Sequence, residues 1–125
     1  MTEKLSGTIL TASDFKIQGD NVYVTKNNDN PGMLFIRANW CSHCVHFIST
    51  FNEIADSIGS DFMCASIESE NITQDLSTAL NIQGYPTIKF FDQSGKIIGE
   101  YANERKKDTI LNEICKVYHH CISKH

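Results

Sequence analysis

The sequence predicts an α/β fold: a central mixed β-sheet flanked by helices on both faces. Three observations carry that prediction. Short apolar runs rich in branched and aromatic residues alternate with stretches whose apolar positions follow helical spacing. Near the end, two apolar runs are joined by Asp92-Gln93-Ser94-Gly95, a four-residue hairpin loop. Two thiols, Cys41 and Cys44, stand where an apolar run passes into the longest helical stretch.

The elements follow in order. Residues 8–10 and 21–25 read as short strands, with Ser13-Asp14-Phe15 as a single helical turn between them. Residues 27–32, Asn27-Asn28-Asp29-Asn30-Pro31-Gly32, form a loop. Residues 33–39 read as a buried strand, and from Cys41 the positions Cys44, Phe47, Ile48, Phe51, Ile54, Ala55 and Ile58 keep helical spacing until Gly59 stops it. Phe62 to Ile67 is a second buried strand. Ile72, Leu76, Ala79 and Leu80 give one face of a shorter helix with Asn71 as its N-cap. Residues 87–91 and 96–101 are the hairpin strands, and a closing amphipathic helix runs from about Lys107 with Ile110, Leu111, Ile114, Val117 and Tyr118 on one stripe. Right-handed crossovers then put the 33–39 strand near the middle of the sheet. The thiol pair lies at its carboxyl end, where open α/β sheets place their sites.

With 125 residues, 41% of them hydrophobic, the chain suits one domain, 1–125, whose core needs no disulfide or metal. The cysteines are therefore free for chemistry. Net charge is -4 and the basic residues are scattered apart from Arg105-Lys106-Lys107, which excludes a nucleic-acid surface. No eighteen consecutive apolar residues are present to span a bilayer, and the N-terminus carries no stretch resembling a signal peptide. The expected setting is cytoplasmic or within an assembling particle, and the expected state a monomer. Five cysteines without framework spacing argue against a secreted disulfide scaffold. Cys64 and Cys115 are expected as buried packing residues, and Cys121 as an exposed thiol open to an intermolecular disulfide or glutathionylation.

In the first turn of a helix, Cα atoms three residues apart lie roughly 5 Å from one another, inside the window a disulfide needs. Cys41, at the helix N-terminus, meets partial positive charge and free N–H groups that favour its thiolate, so it is the expected attacking sulfur. Cys44, one turn deeper, is placed to displace a substrate from Cys41 by thiol–disulfide exchange. A protonated His43 between them would further favour the Cys41 thiolate and make the disulfide more oxidising.

Trp40-Cys41-Ser42-His43-Cys44, then Gly84-Tyr85-Pro86-Thr87-Ile88-Lys89-Phe90-Phe91 about forty residues later, and the looser Glu100-Tyr101 followed by Arg105, resemble the thioredoxin superfamily and within it the catalytic domains of protein disulfide isomerases. The resemblance covers most of residues 33–118, leaving 1–32 as an atypical N-terminal part. It implies a thioredoxin fold and a redox-active Cys41–Cys44 pair exchanging disulfides with protein substrates, oxidase- or isomerase-like, without a cofactor or metal. It implies a cis bond before Pro86, a substrate groove shaped by Pro86, the Tyr85 backbone and Trp40, and an Arg105 that swings toward the second cysteine. Protein thiols and disulfides are the implied partners, with glutathione or a thioredoxin reductase as electron partners. Histidine at position 43 follows the isomerases, where thioredoxins carry proline. Three positions depart from the pattern. Phe35 stands where relatives carry a buried carboxylate that takes the proton of the second thiol, and Cys64 stands where thioredoxins carry the accompanying lysine. Asn103 replaces a glycine of the Tyr-x-Gly-x-Arg pattern. Deprotonation of Cys44 is then left to water, His46 or Arg105, and release of mixed disulfides is expected to be slow.

Three other functions are weighed against this one. A thioredoxin-type reductase uses the same thiols in the opposite direction, which His43 disfavours. A metal-binding module would combine Cys41, His43, Cys44 and His46 with the tail residues Cys115, His119, His120, Cys121 and His125, but nothing in the pattern brings the two groups together. A peptide-binding module without chemistry is disfavoured by the intact thiol pair.

Overall fold

The computed structural model describes residues 5–59 and 61–118, without the side chains of Val117 and Tyr118. Gly32–Arg37 (β4) is the middle strand of a five-stranded sheet, and the hydrophobic character of its sequence explains why. Met33, Leu34, Phe35 and Ile36 are each fully buried, so both faces of the strand are covered. Thr8–Leu10 (β1) and Met63–Glu68 (β5) lie parallel on one side of it, with β5 between β1 and β4. Thr87–Phe91 (β6) and Ile97–Tyr101 (β7) lie antiparallel on the other, giving the order β1-β5-β4-β6-β7. The sheet is mixed and the strand leading to the thiols is central, as the right-handed connection rule predicts.

Alternation along β4 divides the core in two. Met33 and Phe35 face Ser42–Ser57 (α1) and Lys107–Tyr118 (α3), where Phe47, Phe51, Ile54, Ile110 and Ile114 complete one cluster. Leu34 and Ile36 face the opposite side, packed with Leu76 and Leu80 of Gln74–Leu80 (α2) and with Val22 and Val24 of Asn21–Val24 (β3). Full burial of each such aliphatic or aromatic side chain contributes roughly 1.5–3 kcal/mol.

Local details differ from the sequence reading. Phe15–Gln18 (β2) pairs antiparallel with β3 as a small second sheet. Its outward residues Lys16, Ile17 and Gln18 are all exposed, which erases the apolar alternation that would announce a strand. The helical turn is Ala12–Asp14, held by reciprocal bonds between Thr11 and Asp14. The central strand takes in Gly32 and ends at Arg37, because the chain then turns: the Cys41 N–H donates to the Ala38 carbonyl across 3.1 Å. Glycine is required at position 32, where a Cβ would collide with the Phe91 ring and the Met63 carbonyl. α2 is capped by Thr73, whose hydroxyl accepts from the Leu76 N–H at 3.2 Å, and not by Asn71, which ends the 3₁₀ turn Ser69–Asn71. Among the described residues, no helix is long and apolar enough to cross a membrane.

Candidate active site

The site is assembled where β4 hands over to α1. Cys41 is the N-cap of α1, with extended backbone, and its sulfur accepts the Cys44 N–H across 3.2 Å. A thiol thus occupies the place of the usual Ser, Thr or Asp oxygen, and a helix N-terminus that favours negative charge points at it. Both cysteines are buried, Cys41 at 8% exposure and Cys44 at 1%, so the first keeps a little surface and the second almost none. Both are free thiols.

Burial pushes the Cys44 thiol up to about 12. Proximity of the Cys41 sulfur acts in the same direction, through the hydrogen bond between them and through charge, while the Ala38 amide and the positive charge of Arg37 act against it. Arg37 is the residue that the sequence reading passed over. It closes a run of four fully buried apolar residues four positions before Cys41, and that break in hydrophobic character was the available signal.

Phe35 is fully buried, with its ring edge-on to Phe47 at 5.0 Å and tilted against Phe51 at 5.3 Å. The position of the family carboxylate is thus filled by an aromatic stack continuous with the underside of α1. Cys64 lies in the same cluster, and burial raises its thiol to about 12. Cys115 is half-buried and disulfide-bonded, so it is not the buried packing thiol expected. Cys121 and the tail residues His119, His120 and His125 lie outside the described residues. Among the described residues, no group of three or more His, Cys, Asp or Glu side chains is arranged to hold a metal ion.

The surrounding surface is formed by the other residues singled out in the sequence. The Tyr85–Pro86 bond is cis. Trp40, next to Cys41 in the chain, is 75% exposed, and its ring stands perpendicular to that of the half-buried Tyr85, with centroids 5.5 Å apart. His43 is exposed between the cysteines. Arg105 is exposed in the turn before α3, a turn closed by the Tyr101 hydroxyl donating to the Glu104 carbonyl. It shares a cleft of about 360 Å³ with His43, His46, Phe47, Thr50, Glu104 and Lys106. The structure therefore brings Arg105 to the same cleft as His43 and His46, both exposed on α1.

Residues 11–116 match the family model described as Thioredoxin. Among curated proteins, the chain is 31% identical over 102 residues to a protein disulfide-isomerase of Zea mays, covering 80% of this chain and 20% of that one. It is 31% identical over 83 residues to protein disulfide isomerase-like 1-1 of Arabidopsis thaliana, covering 63% of this chain and 17% of that one. The chain thus spans about a fifth of the length of these relatives. Among solved structures, human ERp44 (form I) superposes with a TM-score of 0.71 at 20% identity, over 93% of this chain and 30% of that chain. The J-Trx1 fragment of ERdj5 gives 0.63 at 18% identity, over 70% of this chain and 43% of the fragment. The fold, the family match across most of the chain and the Cys41 thiol capping α1 one turn from Cys44 converge: the chain belongs to the thioredoxin family.

Proposed function

We propose that this protein exchanges disulfides with protein substrates through Cys41 and Cys44, in the oxidising or isomerising direction. The observation that carries the reading is the N-capping thiol: Cys41 lies at a helix N-terminus, one turn from a second, deeper free thiol. The similarity to protein disulfide-isomerases supports the same reading.

In the reducing direction, the Cys41 thiolate attacks one sulfur of a substrate disulfide, that S–S bond breaks, and one substrate thiolate leaves. Cys44 then loses its proton and attacks the Cys41 sulfur, releasing the second substrate thiolate and leaving the Cys41–Cys44 disulfide. Two electrons pass from the protein to the substrate. Oxidation of a substrate dithiol is the same sequence reversed, and isomerisation stops at the mixed disulfide while substrate thiols rearrange. Trp40 and Tyr85 offer apolar contact beside the reacting sulfur, and the backbone before Pro86 is the implied edge for an extended substrate segment. His43, when protonated, favours the Cys41 thiolate, stabilises the dithiol form and makes the disulfide a stronger oxidant.

The reduction potential of the pair tests this directly. A value near -180 mV is expected; one near the thioredoxin level of about -270 mV would assign the protein to the reductases instead. His43→Pro is expected to lower the potential, read from the thiol–disulfide equilibrium with glutathione.

A further inference from the structure

The cleft beside α1 collects basic side chains on a chain whose net charge is -4. His43, His46, Phe47 and Thr50 line it from α1, where they recur at helical spacing, and Glu104, Arg105 and Lys106 line it from the turn before α3. Lys106 Nζ lies 3.5 Å from the Glu104 carboxylate, so that pair offsets its own charge and Arg105 is left in excess. Among the described residues, the side chains of His43, His46 and Arg105 make no hydrogen bond or ion pair. Their N–H donors are open to an incoming acceptor. The backbone that carries Arg105 is held on both sides. The Tyr101 hydroxyl donates to the Glu104 carbonyl, the Glu104 N–H donates to the Asn103 Oδ1 at 2.8 Å, and the Lys106 carbonyl accepts the Ile110 N–H at 3.0 Å. Asn103, which departs from the family pattern, helps to fix this turn. Two residues span at most about 7 Å, so the His43 Cα stands within that distance of the Cys41 Cα. From His43 to Thr50 the helix rises about 10 Å, the reach of three extended residues. The cleft shares no lining residue with the pocket around Tyr85 and Pro86, so it is separate from the edge implied for backbone pairing.

We infer that this cleft is a specificity subsite for carboxylates: it receives an acidic side chain lying within a few residues of the cysteine that a protein substrate presents to Cys41. Arg105 supplies a planar guanidinium that matches a carboxylate, and His43, His46 and Thr50 add donors along the same helix. Exposed contacts of this kind are weak singly and screened by salt. They act on the choice among substrates and on the rate of encounter, and leave the chemistry at sulfur as it is. The inference rests on the proposed exchange activity and names the class of substrate that the site prefers.

The test uses peptides whose single cysteine is a 2-pyridyl disulfide, with the reduced protein in excess. The Cys41 thiolate attacks the peptide sulfur, that S–S bond breaks, and 2-thiopyridone leaves and is read by its absorbance, with Cys41 bonded to the peptide. Release by a Cys41→Ser variant is subtracted. The readout is the ratio of rate constants for a peptide with glutamates flanking the cysteine and its glutamine counterpart, each normalised to its rate with 2-mercaptoethanol. A chain of net charge -4 repels the glutamate peptide as a whole, so without a local site the ratio is at or below one. A ratio of about three or more is expected at about 20 mM salt, falling toward one at about 0.5 M. Arg105→Gln is expected to bring the ratio to one or below, and Arg105→Lys to keep most of it. Lys16→Gln removes the same charge from β2 and should leave the ratio unchanged. A ratio at or below one in the unaltered protein, a ratio unchanged in Arg105→Gln, or an equal fall in Lys16→Gln would overturn the subsite. The 2-pyridyl disulfides of glutathione and of its diethyl ester form a second arm, since glutathione carries carboxylates of its own. A charge effect confined to glutathione would overturn the assignment to protein substrates. Release by the unaltered protein no faster than by Cys41→Ser would instead overturn the exchange reading itself.

Discussion

The sulfur of Cys41 accepts the backbone N–H of Cys44 across 3.2 Å, so the reactive thiol and the cap of α1 are one group. Chemistry and helix stability therefore separate cleanly on substitution. Cys41→Ser keeps a strong capping oxygen and should unfold within about 0.5 kcal/mol of the parent, while Cys41→Val removes the cap and should cost about 1 kcal/mol. Neither forms a mixed disulfide. Cys44→Ser is expected to retain attack by Cys41 and to accumulate the mixed disulfide, visible as an adduct of substrate mass by intact-protein mass spectrometry and lost on reduction.

Phe35 joins β4 to α1 through its contacts with Phe47 and Phe51, and it is fully buried. Phe35→Ala should destabilise the fold by roughly 3–5 kcal/mol, measured by denaturant unfolding. Phe35→Glu places the family carboxylate at this position but leaves it in an aromatic pocket without the lysine partner. It should lower the melting temperature and shorten the lifetime of a mixed disulfide on Cys41, followed by intact-protein mass spectrometry. A variant as stable as the parent would show that the pocket admits water.

The Cys64 thiol gives the fold an alkaline limit. Its pKa rises from 9.0 unfolded to about 12 in the core because burial opposes the thiolate. Between those values the unfolded chain has lost the proton while the native chain keeps it, so the contribution is complete below about pH 9 and declines toward pH 12. The span of three units corresponds to something on the order of 4 kcal/mol. Cys64→Val should unfold with a visibly shallower loss of stability over this range, and native protein should leave Cys64 unalkylated at neutral pH.

The start of α2 is set by Thr73, whose hydroxyl accepts the Leu76 N–H. Thr73→Ala is expected to cost about 1 kcal/mol and Asn71→Ala less than about 0.5 kcal/mol by thermal unfolding. The reverse ranking would return the cap to Asn71.

Much of this molecule is written locally. The fully apolar run Met33 to Ile36 can only be a strand covered on both faces, the periodicity from Cys44 to Ile58 can only bury one helix face, and Cys41 between them then caps that helix. Those are short-range consequences of side-chain period and backbone geometry, so the sequence by itself determined the central strand, α1 and the Cys41–Cys44 pair. β2 was not legible because its residues alternate weakly and its partner, β3, supplies the pairing. The cap at Thr73 depends on where the chain leaves the Ser69–Asn71 turn, which tertiary packing sets.

The environment of the second thiol is a tertiary property in the same sense. Glu68 comes opposite Arg37 only because β4 and β5 meet in the folded sheet, and the Asn39 N–H just beyond β4 then donates to its carboxylate. Sequence reading pointed to Arg105 and His46 because the family pattern and proximity in the chain favour them. The fold brings both to one cleft beside α1, together with His43, a meeting of helix and loop that chain proximity alone does not give.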